Sequence, residues 1–385
     1  MPPPTSETEH VASDRTPTLP AFAKRIPFTK PILPDISAIA QGLEEIWGRG
    51  WLTNNGPVLK AFQDELCTLF ATPNVGLFSN GALALEAALE CLDLEGEVIV
   101  PAFTFPATAH AILRAGLTPV FADIEPNRLT IDPNTIEDLC TERTAAILGV
   151  HMFGMPCYVD ELQDIADRHG AALVYDAAHM LGIRYQGKPI SDYGDASMFS
   201  LHATKAVHAV EGGALVYKDA SLQPKLASFI NHGIGGQSRR GTNAKMSELH
   251  ALVGRLVLAD LPQINTRLQK LRNFYDAAFA HIEAVDPVYH HFEHVEGQSG
   301  FYPILFDQKH VHRDDIMAAL GAENIDTRAY FDPPLNEDAR FGATPEGTSV
   351  AKDISGRIMA VPFFADLELD DAGKIVEVLC SALDK

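Results

Sequence analysis

Between Val75 and Lys218 the chain alternates short apolar runs with amphipathic segments, a pattern that few architectures can accept. The apolar runs read VGLF, GEVIVPAF, TPVFADI, TAAILGV, AALVYDAA, DASMFSL and GGALVYK; ALALEAALECL, PATAHAILRAG, DPNTIEDLC and YVDELQDIADRHG lie between them and carry helical periodicity. Strands that are apolar without alternation are sealed on both faces, and intervening helices supply the seal. The chain is therefore expected to be α/β, with a mostly parallel sheet. Residues that follow parallel strands gather at one edge, where such sheets hold ligands.

One of those residues is Lys205, the only formally charged side chain between Ala196 and Val210, set among Met198, Phe199, Leu201 and Val207. Apolar surroundings lower a lysine's pKa and leave free amine able to condense with a carbonyl, which makes Lys205 a Schiff-base candidate. Read alone, such a lysine is more often a surface residue on a loop between two strands. Asp176 ends the apolar run AALVYD upstream and delivers a carboxylate to the same edge. Pyridoxal 5′-phosphate needs a lysine for its aldehyde and an acid that keeps its ring nitrogen protonated, and these two residues fit both needs. His179 could stack on such a ring or bond its phenolic oxygen. Alone, a strand-end aspartate is more often a cap and His179 a core histidine. The turn Ser79, Asn80, Gly81 opens directly into a helix and so offers free N–H groups to a phosphate, with Ser200 as a further donor. Phe105, after another strand, either stacks on a flat ring or joins the core.

Elsewhere the readings are coarser. The segment from Ile26 to Phe70 suggests two amphipathic helices joined by GRGWLTNNGP, whose Trp51, Thr53, Asn54 and Asn55 either connect or rim a pocket. Residues 1–25, polar and proline-rich without a secretion-signal core, are expected to be disordered or loosely attached. Residues 26–260 are read as the large domain and 261–385 as a smaller α+β domain. No apolar run approaches the ~20 residues of a membrane helix. Five scattered cysteines without CxxC spacing suggest reduced thiols and a cytoplasmic protein. A net charge of −21 argues against nucleic acid or an anionic membrane as partner, so the SRR run of Ser238, Arg239 and Arg240, with Lys245, stands out as a place to receive an anionic substrate. His290, His291 and His294 lack an acid or cysteine partner of clear geometry, and no metal site is expected. HGIGGQSRRG lacks the third glycine of a dinucleotide loop.

The stretches GRGWLTNNGPVLKAFQDEL, SNGALALEAAL, PAFTFPATAHAIL, GVHMFGMP, VYDAAHMLG, FSLHATKAVHAVEGGALV, NHGIGG and GTNAKMSELHALVG together resemble the DegT/DnrJ/EryC1/StrS family of pyridoxal-phosphate-dependent sugar aminotransferases, over about Ile26 to Leu379. The resemblance implies the fold-type I aminotransferase architecture and a homodimer whose active sites are shared between subunits. It implies Lys205 as the Schiff-base lysine, Asp176 at the pyridine nitrogen, His179 near the ring oxygen and Phe105 stacked on the ring. Gly81 and Ala82 main chain with Ser200 would hold the phosphate. Asn243, with Lys245, would reach in from the partner subunit. Two residues depart from the family pattern: Ala82 stands where a threonine is common, and Met155 where many members have glutamine. The presence of Lys205 separates the chain from the family's sugar dehydratases, which have histidine there.

The implied reaction moves an amino group from an amino acid, by resemblance L-glutamate, to a nucleotide-linked keto sugar. The wording is most like members that aminate C4 of dTDP-4-keto-6-deoxyhexoses. Thr53, Lys245, Arg239, Arg328 and Tyr330 are the expected substrate contacts. Three alternatives stand beside it: amination at C3 or on another nucleotide, another pyridoxal-phosphate enzyme such as a lyase or dehydratase, and a regulatory protein that kept the fold without turnover.

Overall fold

A computed structural model describes residues 20–237, 240–288, 293–307, 311–342, 344 and 346–384. Helices α1 (Ile36–Arg49) and α2 (Pro57–Phe70) precede a seven-stranded sheet. Its strands are β1 (Val75–Phe78), β2 (Glu97–Pro101), β3 (Thr118–Ala122), β4 (Thr144–Val150), β5 (Ala172–Asp176), β8 (Ala196–Ser200) and β9 (Gly213–Tyr217), in the spatial order β1-β9-β8-β5-β4-β2-β3. Parallel ladders join β3, β2, β4, β5 and β8, whereas β9 is antiparallel to both its neighbours. All strands but β9 therefore point one way.

The apolar runs have two destinations. Ile99, Ile147, Leu173, Phe199 and Val216 face one hydrophobic cluster; Val98, Leu148, Val174, Met198 and Leu215 face the other. Successive side chains of a strand point to opposite faces, so burying both faces requires continuous apolarity. Cover comes from the connecting helices α3 (Gly81–Cys91), α4 (Pro106–Arg114), α6 (Val159–His169) and α7 (Gln223–Ile230), and from α8 (Glu248–Ala259). The expected helix over DPNTIEDLC is only a four-residue α5 (Pro133–Ile136) followed by a 3-10 turn, since residues 132–140 span too little chain for a stable α-helix.

A minor sheet contains β6 (Arg184–Tyr185), β7 (Lys188–Pro189) and β11 (Val295–Glu296). Helix α9 (Leu261–Phe279) leads to a four-stranded antiparallel sheet of β10 (Val285–Pro287), β12 (Pro303–Phe306), β14 (Ile358–Ala360) and β13 (Arg328–Ala329), accompanied by α10 (Arg313–Ala322), α11 (Ser349–Arg357) and α12 (Leu369–Leu383). The last residues counted in the N-terminal extension are held: Phe22 is buried, and the Arg25 guanidinium pairs with Asp326 at 2.5 Å. An aromatic ring and a charge close to the folded body found partners that composition does not reveal. Among the described residues no helix is long and apolar enough to cross a membrane, and no cluster of His, Cys, Asp or Glu could hold a metal. His290 and His291 lie outside the described residues. All five cysteines are free.

Glu248 is fully buried, yet its carboxylate accepts the N–H groups of Val58 (2.9 Å) and Leu59 (2.8 Å) at the start of α2, where Gly56 offers no side-chain cap. Its own N–H donates to the Leu52 carbonyl. The GRGWLTNNGP loop is thus fastened to α8. Glu248→Ala leaves two buried donors unpaired and is expected to destabilise the fold by about 2–4 kcal/mol, measurable by chemical denaturation.

Candidate active site

The ends of β1, β5 and β8 open on one cavity of about 350 Å³, within the roughly 300–1,000 Å³ usual for small-molecule sites. Asp176, Lys205, Gly81, Ala82, Ser200, His179, Phe105, Arg328 and Tyr330 all line it. Parallel register is the cause: each strand delivers its last residue, and the loop behind it, to the same edge.

Asp176 sits at the cavity floor, 6% exposed. The Thr108 hydroxyl donates to its Oδ2 at 2.8 Å and the Ala178 N–H to its Oδ1 at 3.1 Å, and Thr104 bonds Thr108 in turn at 3.1 Å. Burial pushes its carboxyl above the usual range, opposed by these two bonds and by the Lys205 charge. Lys205 lies on the wall, its Nζ 5.2 Å from the centroid of Phe301. Burial brings its amine down to about 8; Asp176 works against that fall and Arg328 with it. His179 accepts the Phe153 N–H on Nδ1 at 3.0 Å, and burial, with the Lys205 charge, pushes it well below the ordinary imidazole range.

Helix α3 begins at Gly81 against β8. A Cβ on Gly81 would lie 2.9 Å from the Met198 sulfur and 3.5 Å from Ser200, so a side chain there would have to displace the Met198 thioether for the turn to approach that strand end. Asn80 caps Leu83, whereas the N–H groups of Gly81 and Ala82 take no acceptor among the described residues. They point their dipole at the cavity beside Ser200. Phe105, 55% exposed at the N-cap of α4, stands at the rim 6.5 Å from Phe331.

Other expected residues lie elsewhere. Thr53 is exposed in the α1–α2 loop, its carbonyl accepting the Trp51 indole N–H; Asn243 is exposed; and Lys245 donates to Asn231 Oδ1 at 3.0 Å. None of the three lines this cavity. Arg239 lies outside the described residues. Met155 is fully buried. Thr108, Phe301, Phe331 and Glu211 line or support the site without having been singled out in the sequence. Thr108 sits in the first turn of α4, within PATAH, and nothing local marks it for chemistry.

A model of the DegT/DnrJ/EryC1/StrS aminotransferase family matches residues 35–380. The chain belongs to this family. It is a pyridoxal-phosphate-dependent aminotransferase with the fold-type I architecture. This aminotransferase is similar to the dTDP-4-amino-4,6-dideoxy-D-glucose transaminase of Escherichia coli, at 34% identity over 92% of this chain and 98% of that protein. It is similar also to the dTDP-3-amino-3,4,6-trideoxy-alpha-D-glucose transaminase of Streptomyces venezuelae, at 30% identity over 84% and 86%. The crystal structure of DesI in the presence of its TDP-sugar product superimposes with a TM-score of 0.90, 34% identity and 95% coverage of each chain.

The aminotransferase's cavity fits the cofactor in kind: an amine of lowered basicity, a buried carboxylate that lacks a full countercharge, and a glycine-tight helix N-terminus. Two outcomes are expected. Borohydride trapping of pyridoxal phosphate on cofactor-free protein should rise with pH through about 8, not near the ordinary lysine value, because the amine is reactive only once deprotonated; Lys205→Ala should abolish it. A Cβ at Gly213 would lie 2.5 Å from the Asn80 carbonyl and 2.7 Å from the Gly81 nitrogen, forcing the turn to shift. At the about 1–3 kcal/mol typical of overpacking, Gly213→Ala should weaken cofactor binding roughly tenfold, read by absorbance titration.

Proposed function

We propose that this aminotransferase transfers nitrogen from L-glutamate to C4 of a dTDP-4-keto-6-deoxyhexose. The observation that carries the site assignment is the convergence of Lys205, Asp176 and the α3 N-terminus on one cavity. In this reading Lys205 holds the cofactor's aldehyde, Asp176 faces its ring nitrogen and Phe105 lies on its ring. Gly81, Ala82 and Ser200 take its phosphate, and His179 stands near its ring oxygen. When bound, the group supplies an electron sink for carbanion chemistry.

The protein's own residues do the rest. Burial pushes the Asp176 carboxyl up, the hydrogen bonds from Thr108 and Ala178 and the Lys205 charge favour its ionised form, and Thr108 aligns it. Lys205, with a pKa near the working pH, is matched to taking a proton from the substrate carbon and returning it. Tyr330 and Phe331 give the cavity an apolar wall, and the exposed Arg328 guanidinium, 5.6 Å from the Tyr330 ring centroid, offers charge to a substrate carboxylate or pyrophosphate.

The similarity to a dTDP-4-amino-4,6-dideoxy-D-glucose transaminase supports C4. The Streptomyces venezuelae relative favours C3 as the second reading. The homodimer is likewise proposed: Thr53, Asn243 and Lys245 belong to segments joined through α8 and do not line their own chain's cavity, as expected of residues donated to a partner's site. We also propose a cytoplasmic location, a division of the chain near residue 260, and Arg239 as a substrate contact.

Glutamate should shift the visible band of the yellow protein to the pyridoxamine form, and a dTDP-4-keto-6-deoxyhexose should restore it, giving a product with nitrogen at C4 by NMR. Turnover only with a 3-keto isomer transfers the assignment to C3, and a band that ignores amino donors sinks transamination. Lys205→Ala and Asp176→Asn should each lower turnover by on the order of 10²–10⁴-fold or more.

A further inference from the structure

The His179 ring is packed against two aromatic rings and held at one nitrogen. Phe153 stacks on it at 5.8 Å with 14° between planes, and Phe301 lies 4.3 Å away on a tilt. The Phe153 N–H that reaches Nδ1 comes from an unusual backbone: φ 53°, ψ 19°, the left-handed region, inside the turn Met152–Gly154. A bulky residue stays in that region only where its surroundings over-determine it. Here the constraint is visible. The carbonyl of Phe153 accepts the hydroxyl of Ser299, a buried residue in the segment between β11 and β12, two positions before Phe301. One residue is thus fastened through its C=O to the segment entering the C-terminal sheet and through its N–H to the site histidine.

An Nδ1 that accepts a backbone N–H carries no proton, so the neutral ring must carry its hydrogen on Nε2. That Nε2 has no hydrogen-bond partner among the described residues and is not among the sealed buried atoms, while His179 lines the cavity. We propose that Ser299 and the left-handed Phe153 peptide form a positioning clip that locks His179 as the Nε2–H tautomer, making it an obligate hydrogen-bond donor to an oxyanion in the cavity. The oxyanion in question, the ring oxygen of pyridoxal phosphate, rests on the placement of the cofactor given above; the tautomer does not. The clip also removes His179 from proton transfer at Nδ1 and leaves that work to Lys205.

The test uses histidine-¹⁵N-labelled protein in cofactor-free and pyridoxal-phosphate-loaded forms, with His179 assigned by its loss in His179→Gln. Two-bond ¹H–¹⁵N correlation should show His179 protonated on Nε2 alone in both forms. Ser299→Ala should give a mixture of tautomers and raise the apparent pKa of the loaded protein's visible band by about one unit or more, since a donor to an oxyanion favours its deprotonated form; Ser299→Thr should restore both. A wild-type His179 protonated on Nδ1, or a Ser299→Ala protein with tautomer and band unchanged, overturns the proposal. If Ser299→Ala does not fold, the wild-type tautomer decides. A correct tautomer with a band indifferent to it would overturn the donor role at the cofactor and leave the clip standing.

Discussion

The site depends on two opposite charges brought into low dielectric at the edge of a parallel sheet. Desolvation penalises both Asp176 and Lys205 in their charged forms, and each relieves the other in part. The imbalance left over is what makes the pair useful. A carboxylate held by two hydrogen bonds but short of countercharge wants a cation, and an amine brought down to about 8 offers near neutrality a fraction of free base that an ordinary lysine lacks. Remove either member and the other becomes an uncompensated buried charge.

The sheet exists to hold that pair at fixed separation. β5 and β8 are adjacent and in register, Asp176 opposite Met198, so the lysine loop leaves the sheet beside the aspartate. β9 returns antiparallel along β8 and brings Gly213 against the Asn80–Gly81 turn, which seats the N-terminal end of α3 beside Ser200. The same geometry leaves the wall opposite to be supplied by the C-terminal part, through Phe301, Arg328 and Tyr330.

Residues whose role follows from their own chemistry were legible. A lone lysine in an apolar run, an aspartate closing a buried strand and a glycine opening a helix each carry a reason within a few positions of themselves. Thr108 and Ser299 were not, because each acts through a residue far along the chain, Asp176 and Phe153, and nothing local distinguishes them from any buried hydroxyl. Phe22 and Arg25 sit in a polar, proline-rich stretch whose average hid two well-placed contacts.

By itself the order of residues determined the architecture and its ligand edge, since strand apolarity, helix period and turn chemistry are local properties that add along the chain. What only the folded structure decided was which groups meet: the hydroxyl under the carboxylate, the peptide that fixes one histidine nitrogen, and the absence of Thr53, Asn243 and Lys245 from the cavity of their own chain. Contacts of that kind depend on how elements distant in sequence pack, and side-chain pattern carries no record of the distance between them.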